Sequence, residues 1–240
     1  MEIQQGIIDV HAHIIPGVDD GSRTMGETVR LLKLAAKQGI TAVIATPHYS
    51  RRSVLRGIPE WAAWIQEEMQ KSCPGFRVFP GQETYYHREL PDRLHAGEAT
   101  TLAGSRYVLV EFDPLVPYQE LYQGIRSILT GGYLPVLAHI ERYACLRKAG
   151  TQELLSCGCK LQMNYGSLQG NLFSHEVHWC RKQIKQETVH FLGTDMHRIN
   201  YRPPQITEAV KWLENHVSPD YAARITRENA LRMINNESIR

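Results

Sequence analysis

The chain has no long hydrophobic run: the roughly 20 consecutive apolar residues that a membrane-spanning helix needs are nowhere present. Its opening, MEIQQGIID, lacks a positive segment followed by a long apolar one, so no signal peptide is expected. Excess charge of one sign is missing too. A net charge of +2 creates no field that would select nucleic acid or an anionic membrane. Five cysteines are an odd count for a disulfide framework, none stand as Cys-x-x-Cys, and Cys157 and Cys159 are separated by one glycine. They are expected to be reduced thiols in a cytoplasmic protein.

Several catalytic signatures are absent as well. Cysteine-based tyrosine phosphatases need Cys-x5-Arg, which seats a thiolate in a phosphate cradle. Here the sixth residues after the cysteines are Phe79, Thr151, Met163, Tyr165 and Gln186. No Gly-x-x-x-x-Gly-Lys phosphate loop and no Gly-x-Ser-x-Gly elbow occurs.

What the chain does have is alternation. With 42% hydrophobic and 22% charged residues it is an ordinary globular mixture, long enough at 240 residues for one large domain. Apolar runs predict seven strands, at Gly6–His11, Ile40–Thr46, Phe76–Gly81, Tyr107–Phe112, Leu134–His139, Lys160–Asn164 and Thr188–Gly193. Amphipathic segments lie between them. Thr24 and Glu27 form a capping box opening a helix through Ala36, with Val29, Leu32 and Ala36 on one face. Further helices are expected after Pro59, over Pro117–Leu129, Arg142–Cys157, Ser174–Gln186 and Pro204–His216, and as a pair after Pro219. Trp61 and Trp64, in WAAWIQEEM, are read as core rather than as a docking face. Strictly alternating βα units predict a parallel sheet, and seven of them a barrel. No linker divides the chain, so residues 1–240 are expected to form a single domain.

In a parallel barrel the active site forms at the carboxyl ends of the strands. Those ends carry His11 and His13, His48, Glu83, Glu111, His139, and Asp195 with His197; only the sixth strand ends on a neutral residue, Asn164. Chance does not put such residues at six of seven strand ends when the chain has 11 histidines and 25 acidic residues in 240 positions. Taken singly, a histidine there is a hydrogen-bonded structural group and a glutamate a cap or ion-pair partner. Gathered at one mouth they would repel and desolvate one another unless a cation neutralised them. A metal site is therefore expected. Alternate strand residues share a side, which lets His11 and His13 hold one ion together. His87, His95, His175, His178, His190 and His216 are read as ordinary surface or core residues.

The stretches DVHAHIIPGVDDGS, TPHY, GQE, VLVEF, LAHIERY, LQMNYGSL and GTDMHR, in this order, resemble the polymerase and histidinol phosphatase superfamily. Within it they are similar to the manganese-dependent tyrosine-protein phosphatases of bacterial capsule and exopolysaccharide clusters. The resemblance implies an α/β fold, a distorted (β/α)7 TIM-like barrel, with three divalent ions at the C-terminal ends of the strands. Manganese is expected first, with iron or zinc as alternatives. His11, His13, Glu83 and Asp195 would hold one ion; Glu83, Glu111 and His139 a second; Asp20, His48 and His197 a third. Arg142 and Arg202 would grip the phosphoryl group. Water shared by two ions, acidified to hydroxide, would attack phosphorus in line. The implied partner is the phosphotyrosine-containing tail of a bacterial tyrosine kinase. Ile140, Tyr165 and Met196 depart from the family pattern, and Tyr165 and Met196 are expected to border the pocket.

Other readings stay open at this point. A small-molecule phosphoesterase of the same superfamily would act on histidinol phosphate or a nucleotide. A nuclease would need a basic groove interleaved with aromatics, for which Arg51, Arg52 and Arg56 beside Tyr49 are the one local cluster. A binding module would use its metals only structurally.

Overall fold

A computed structural model of the chain describes residues 6–49, 56–170 and 174–239. The described strands are β1 (Ile7–Ala12), β2 (Ile40–Ala45), β3 (His48–Tyr49), β4 (Arg77–Pro80), β5 (Glu83–Tyr85), β6 (Tyr107–Glu111), β7 (Leu134–Leu137), β8 (Lys160–Asn164) and β9 (Phe191–Gly193). The helices are α1 (Met25–Lys37), α2 (Ile58–Gln70), α3 (Leu90–His95), α4 (Tyr118–Thr130), α5 (Ala144–Ala149), α6 (Gln152–Ser156), α7 (His175–Lys185), α8 (Thr207–His216), α9 (Pro219–Ala223) and α10 (Asn229–Ile234). The result is a mixed α/β fold around a curled parallel sheet.

Two predicted strands end about where expected, as β2 and β4, but each is followed after a two-residue break by a short further strand. The breaks are Thr46 and Pro47, between β2 and β3, and Gly81 and Gln82, between β4 and β5. Proline has no N–H for the ladder; its carbonyl instead accepts the Glu83 N–H at 3.1 Å. A Cβ on Gly81 would lie 2.6 Å from the Ile44 side chain, so glycine alone lets the strands approach there. The breaks divide the pairing into a β1-β2-β4 sheet and a β3-β5-β6-β7-β8-β9 sheet, both parallel. Beyond β9 the chain returns to β1: the Asp195 N–H donates to the His11 carbonyl and the His13 N–H to the Met196 carbonyl, each at 2.9 Å.

Two apolar layers hold the curl. Val43, Val108, Val110, Leu137, Leu161 and Leu192 pack outward against the helices. Ile8, Val10, Ile44, Leu109, Val136 and Phe191 meet inside it, closed at one end by Ala230 and Met233 of α10. At the other end the strands stop on polar residues.

Helix α1 starts where the capping box places it. The Thr24 hydroxyl accepts the Glu27 N–H at 3.2 Å, while the Glu27 carboxylate accepts the Arg23 N–H at 3.0 Å, one residue ahead of the cap. Its buried face centres on Thr28, Leu31, Leu32 and Ala35, with Val29 and Ala36 at the margins rather than the middle. The expected helix Arg142–Cys157 is a 3-10 turn (Ile140–Arg142) followed by α5 and α6, parted at Gly150, whose φ is 80°. In α2, Ala62, Ile65 and Met69 are core as expected. Trp64 is not: it lies 47% exposed, its ring 5.2 Å from that of Trp61.

Beneath the curl, the His190 ring accepts the Leu161 N–H through Nδ1 at 3.3 Å. Burial, helped by the charge of Lys160, pushes its pKa down to about 3. A histidine neutral in the folded chain but protonated near pH 6.5 when unfolded favours unfolding as pH falls. Allowing for the ring's partial exposure, this costs about 1–2 kcal/mol between pH 6.5 and 5. His190→Gln should therefore lose less thermal stability than the parent over that interval. Parallel melting-temperature curves from pH 7 to 5 would refute the assignment.

Candidate metal centre

Every side chain expected at the site reaches one cluster. His11 stands near the end of β1, and its Nε2 lies 3.2 Å from Nε2 of His13. Simple alternation does not account for this, because Val10 already faces the interior. Between Asp9 and Ala12, β1 gains one residue on β2, since Asp9 pairs with Val43 but Ala12 with Ala45. Such a bulge re-aims the side chains beside it, turning His11 inward after Val10.

Glu83, at the start of β5 and 1% exposed, lies at the centre. Its Oε2 is 3.3 Å from His11 Nε2, 3.2 Å from His13 Nε2 and 3.1 Å from His48 Nδ1. Its Oε1 is 2.8 Å from His139 Nε2. The carboxylate thus faces two groups of ligands, one from each oxygen. His139 Nε2 also lies 3.3 Å from Glu111. Asp195 Oδ1 is 3.6 Å from His11 Nε2 and 3.5 Å from His13 Nε2. On the open side, Asp20 is 3.5 Å from His48 Nε2 and 3.4 Å from His197 Nε2.

Arg142 and Arg202 converge on the other oxygen of Asp195, Arg202 at 3.2 Å. Asn164 donates to the same Oδ2 at 3.1 Å. His139, Asp195 and Arg202 all hold φ between 33° and 52°. For bulky residues this left-handed conformation costs on the order of 1–3 kcal/mol each, and such strain collects at functional sites.

The protons are as informative as the distances. Nδ1 of His13 is held by the Asp19 carboxylate at 2.9 Å, and Nδ1 of His197 by the Asp195 carbonyl at 2.8 Å. Nδ1 of His11 meets the Gln162 carbonyl oxygen at 3.2 Å. With Nδ1–H donating in each ring, the Nε2 lone pairs are left to point at one another and at carboxylates. Only a cation between them makes that arrangement favourable. Ligand atoms roughly 2.0–2.2 Å from one ion lie about 3.0–3.5 Å from each other, which is the spacing around His11, His13 and Glu83.

Charge tells the same story. Burial would raise the Glu83 carboxyl, but His11, His13 and His139 hold it well below the usual carboxylate range. Burial likewise opposes charge on His13 and His139. Asp19, Asp195 and Glu83 nonetheless hold His13 well above its ordinary value, and Glu111 and Glu83 raise His139 to about 9. These carboxylates demand positive charge, which protons supply where divalent ions would.

Among the described residues, three overlapping sets offer ligand atoms within 4.8 Å of one another: His13, Asp20, His48 and His197; His11, His13 and Asp195; and His48, Glu83 and Glu111. They overlap the expected sets but divide the residues differently, with His13 and His48 each within reach of two. The donors, imidazole and carboxylate without thiolate, suit manganese, iron or zinc.

Some expectations change. Tyr165 and Met196, expected to border the pocket, are 0% exposed and belong to the outer core, as does Ile140. Arg51 and Arg52 lie outside the described residues; Arg56 is exposed. Asp19, Gln162 and Asn164 also take part, although Asp19 stands at no strand end and the two amides carry no charge. The doubled aspartate at positions 19 and 20 and the period-two pair Gln162 and Asn164 were the available signals.

Residues 7–235 match the family model for capsular polysaccharide synthesis, CpsB/CapC. The tyrosine-protein phosphatase CpsB of Streptococcus agalactiae is 29% identical over 97% of this chain and 100% of its own length. The tyrosine-protein phosphatase YwqE of Bacillus subtilis is 28% identical over 97% and 93%. A solved structure from work on Bacillus subtilis YwqE and Streptococcus pneumoniae CpsB, metal-dependent tyrosine phosphatases, superposes with a TM-score of 0.87. It is 27% identical and covers 98% of this chain and 96% of that one. The chain therefore belongs to the CpsB/CapC family of capsular polysaccharide synthesis.

Proposed function

We propose that this chain is a metal-dependent phosphatase that hydrolyses phosphotyrosine in proteins. The observation that carries this reading is the gathering of five imidazoles and four carboxylates beside two arginines, with the Nε2 lone pairs of His11, His13 and His197 turned inward. The substrate follows from the relatives, which are tyrosine-protein phosphatases. We further propose three ions, manganese first, held by His11, His13, Glu83 and Asp195; by Glu83, Glu111 and His139; and by Asp20, His48 and His197. The fold is read as one distorted (β/α)7 barrel spanning residues 1–240, with this centre at the carboxyl ends of its strands. The physiological partner is read as the tyrosine-phosphorylated tail of a bacterial tyrosine kinase in capsule or exopolysaccharide regulation, met in the cytoplasm. No helix of the described residues is long and apolar enough to cross a membrane.

When bound, such ions supply an acidified water and neutralise oxygens on phosphorus. The chain's own residues do the rest. Arg142 and Arg202, each about one-third exposed, offer planar forks that bind two phosphoryl oxygens at once, which lysine cannot. A phenolate, with pKa about 10, departs with little protonation.

Direct hydrolysis without a covalent intermediate is supported by the cysteines. Burial pushes the Cys159 and Cys180 thiols well above the ordinary thiol range and raises Cys145, which removes their thiolates as nucleophiles. A polypeptide substrate is supported by the rim. Tyr85 at the end of β5, Leu115 after β6 and Tyr201 beside Arg202 are exposed large hydrophobic side chains on segments that follow strand ends. The nuclease reading loses ground. A basic surface with an aromatic does exist besides the Arg51, Arg52 and Arg56 segment, formed by Arg181, Lys182 and Lys185 around Trp212. It lies on α7 and α8, and none of the residues that line it is a proposed metal ligand.

A single turnover on a phosphotyrosine peptide in oxygen-18 water should place one heavy oxygen in phosphate, with the peptide far outpacing histidinol phosphate. A trapped phosphoenzyme, or faster turnover of histidinol phosphate, would overturn the reading. Arg142→Ala and Arg202→Ala should each lower kcat by about 10²–10³-fold while metal content stays at the parent level. Unchanged kcat would remove these residues from the phosphoryl site.

A further inference from the structure

Gln162 carries no charge and is fully buried, yet two proposed ligand segments depend on it. Its Oε1 accepts the backbone N–H of His139 at 2.7 Å and meets Nδ1 of His11 at 3.2 Å. Its Nε2 donates to Asn164 Oδ1 at 2.9 Å, and Asn164 Nδ2 donates to Asp195 Oδ2 at 3.1 Å. All four side chains are buried. Gln162 and Asn164 reach the same interior because they stand two apart on β8.

One backbone group sets the polarity of this chain. The His139 N–H can only donate, so the atom facing it is the amide oxygen of Gln162. The Gln162 NH2 must then face Asn164, whose oxygen accepts and whose NH2 is left for Asp195. The oxygen that accepts from His139 also accepts from His11, which places the imidazole hydrogen on Nδ1 and the lone pair on Nε2. At the far end, Asp195 Oδ2 is saturated by Asn164 and the two arginines, so Oδ1 is turned toward His11 and His13.

We propose that Gln162, through Asn164, is a positioning residue that sets the His11 tautomer and selects the Asp195 oxygen used for metal binding. The proposal rests on reading the cluster as a metal centre. Glycine at position 193 is part of the device: a Cβ there would lie 2.8 Å from His11 Cβ and 3.0 Å from Gln162 Nε2. Only a bare backbone lets β9 pass beside this pair.

The test uses the full chain loaded with zinc, which is diamagnetic, and reads histidine ring nitrogens by long-range 1H–15N NMR. In the parent, His11 should carry hydrogen on Nδ1 with Nε2 unprotonated. Gln162→Leu should weaken zinc binding about 10–100-fold in chelator competition and abolish the single His11 tautomer. Gln162→Glu, which retains acceptors for His11 and His139, should restore the His11 pattern. A parent His11 protonated on Nε2 would overturn the proposal without any variant. So would Gln162→Leu binding zinc as tightly as the parent with the same His11 signals. A parent that binds no zinc at all would instead sink the metal reading beneath it.

Discussion

Buried imidazoles and carboxylates cannot share a cavity without something positive between them. Glu83 makes the constraint sharpest. It is almost fully buried, one oxygen faces three histidines and the other a fourth, and only their charge keeps it ionised. Protons and divalent cations are alternative ways to meet that demand, and a cation meets it for several ligands at once. The positions of the surrounding side chains follow from this need more than from any local preference for helix or strand.

The fold meets the constraint by ending its parallel strands together. The inner apolar layer fills the curl up to the level where polar residues begin. Above it, a bulge in β1, the breaks before His48 and Glu83, and left-handed backbone at His139, Asp195 and Arg202 aim individual side chains. Each is a departure from regular structure. The stability they cost is recovered from the core beneath, and local strain of this kind is expected where chemistry is done.

Much of this was legible in the sequence because charged side chains at strand ends are improbable without a reason. His11, His13, Glu83, Glu111, His139 and Asp195 stood out for that reason alone. The short strands β3 and β5 that follow two predicted strands were not legible. Pro47 and Gly81 look like ordinary strand terminators, and only the pairing shows the chain passing from one sheet to the next. The neutral links were hidden for a different reason. Gln162 looks like a polar residue in a half-buried strand, and its meaning lies in the direction of hydrogen bonds to residues 23 and 151 positions away. Tyr165 and Met196 adjoin motif residues along the chain, but both side chains turn into the outer core rather than the pocket.

The direct test is anomalous X-ray scattering from crystals grown with manganese. The expected result is three peaks inside the ring of His11, His13, Asp20, His48, Glu83, Glu111, His139, Asp195 and His197, two of them about 3.5–4 Å apart across Glu83. A well-ordered crystal at saturating manganese, with these side chains in place and no peak among them, would contradict the premise that a shared cation holds them together.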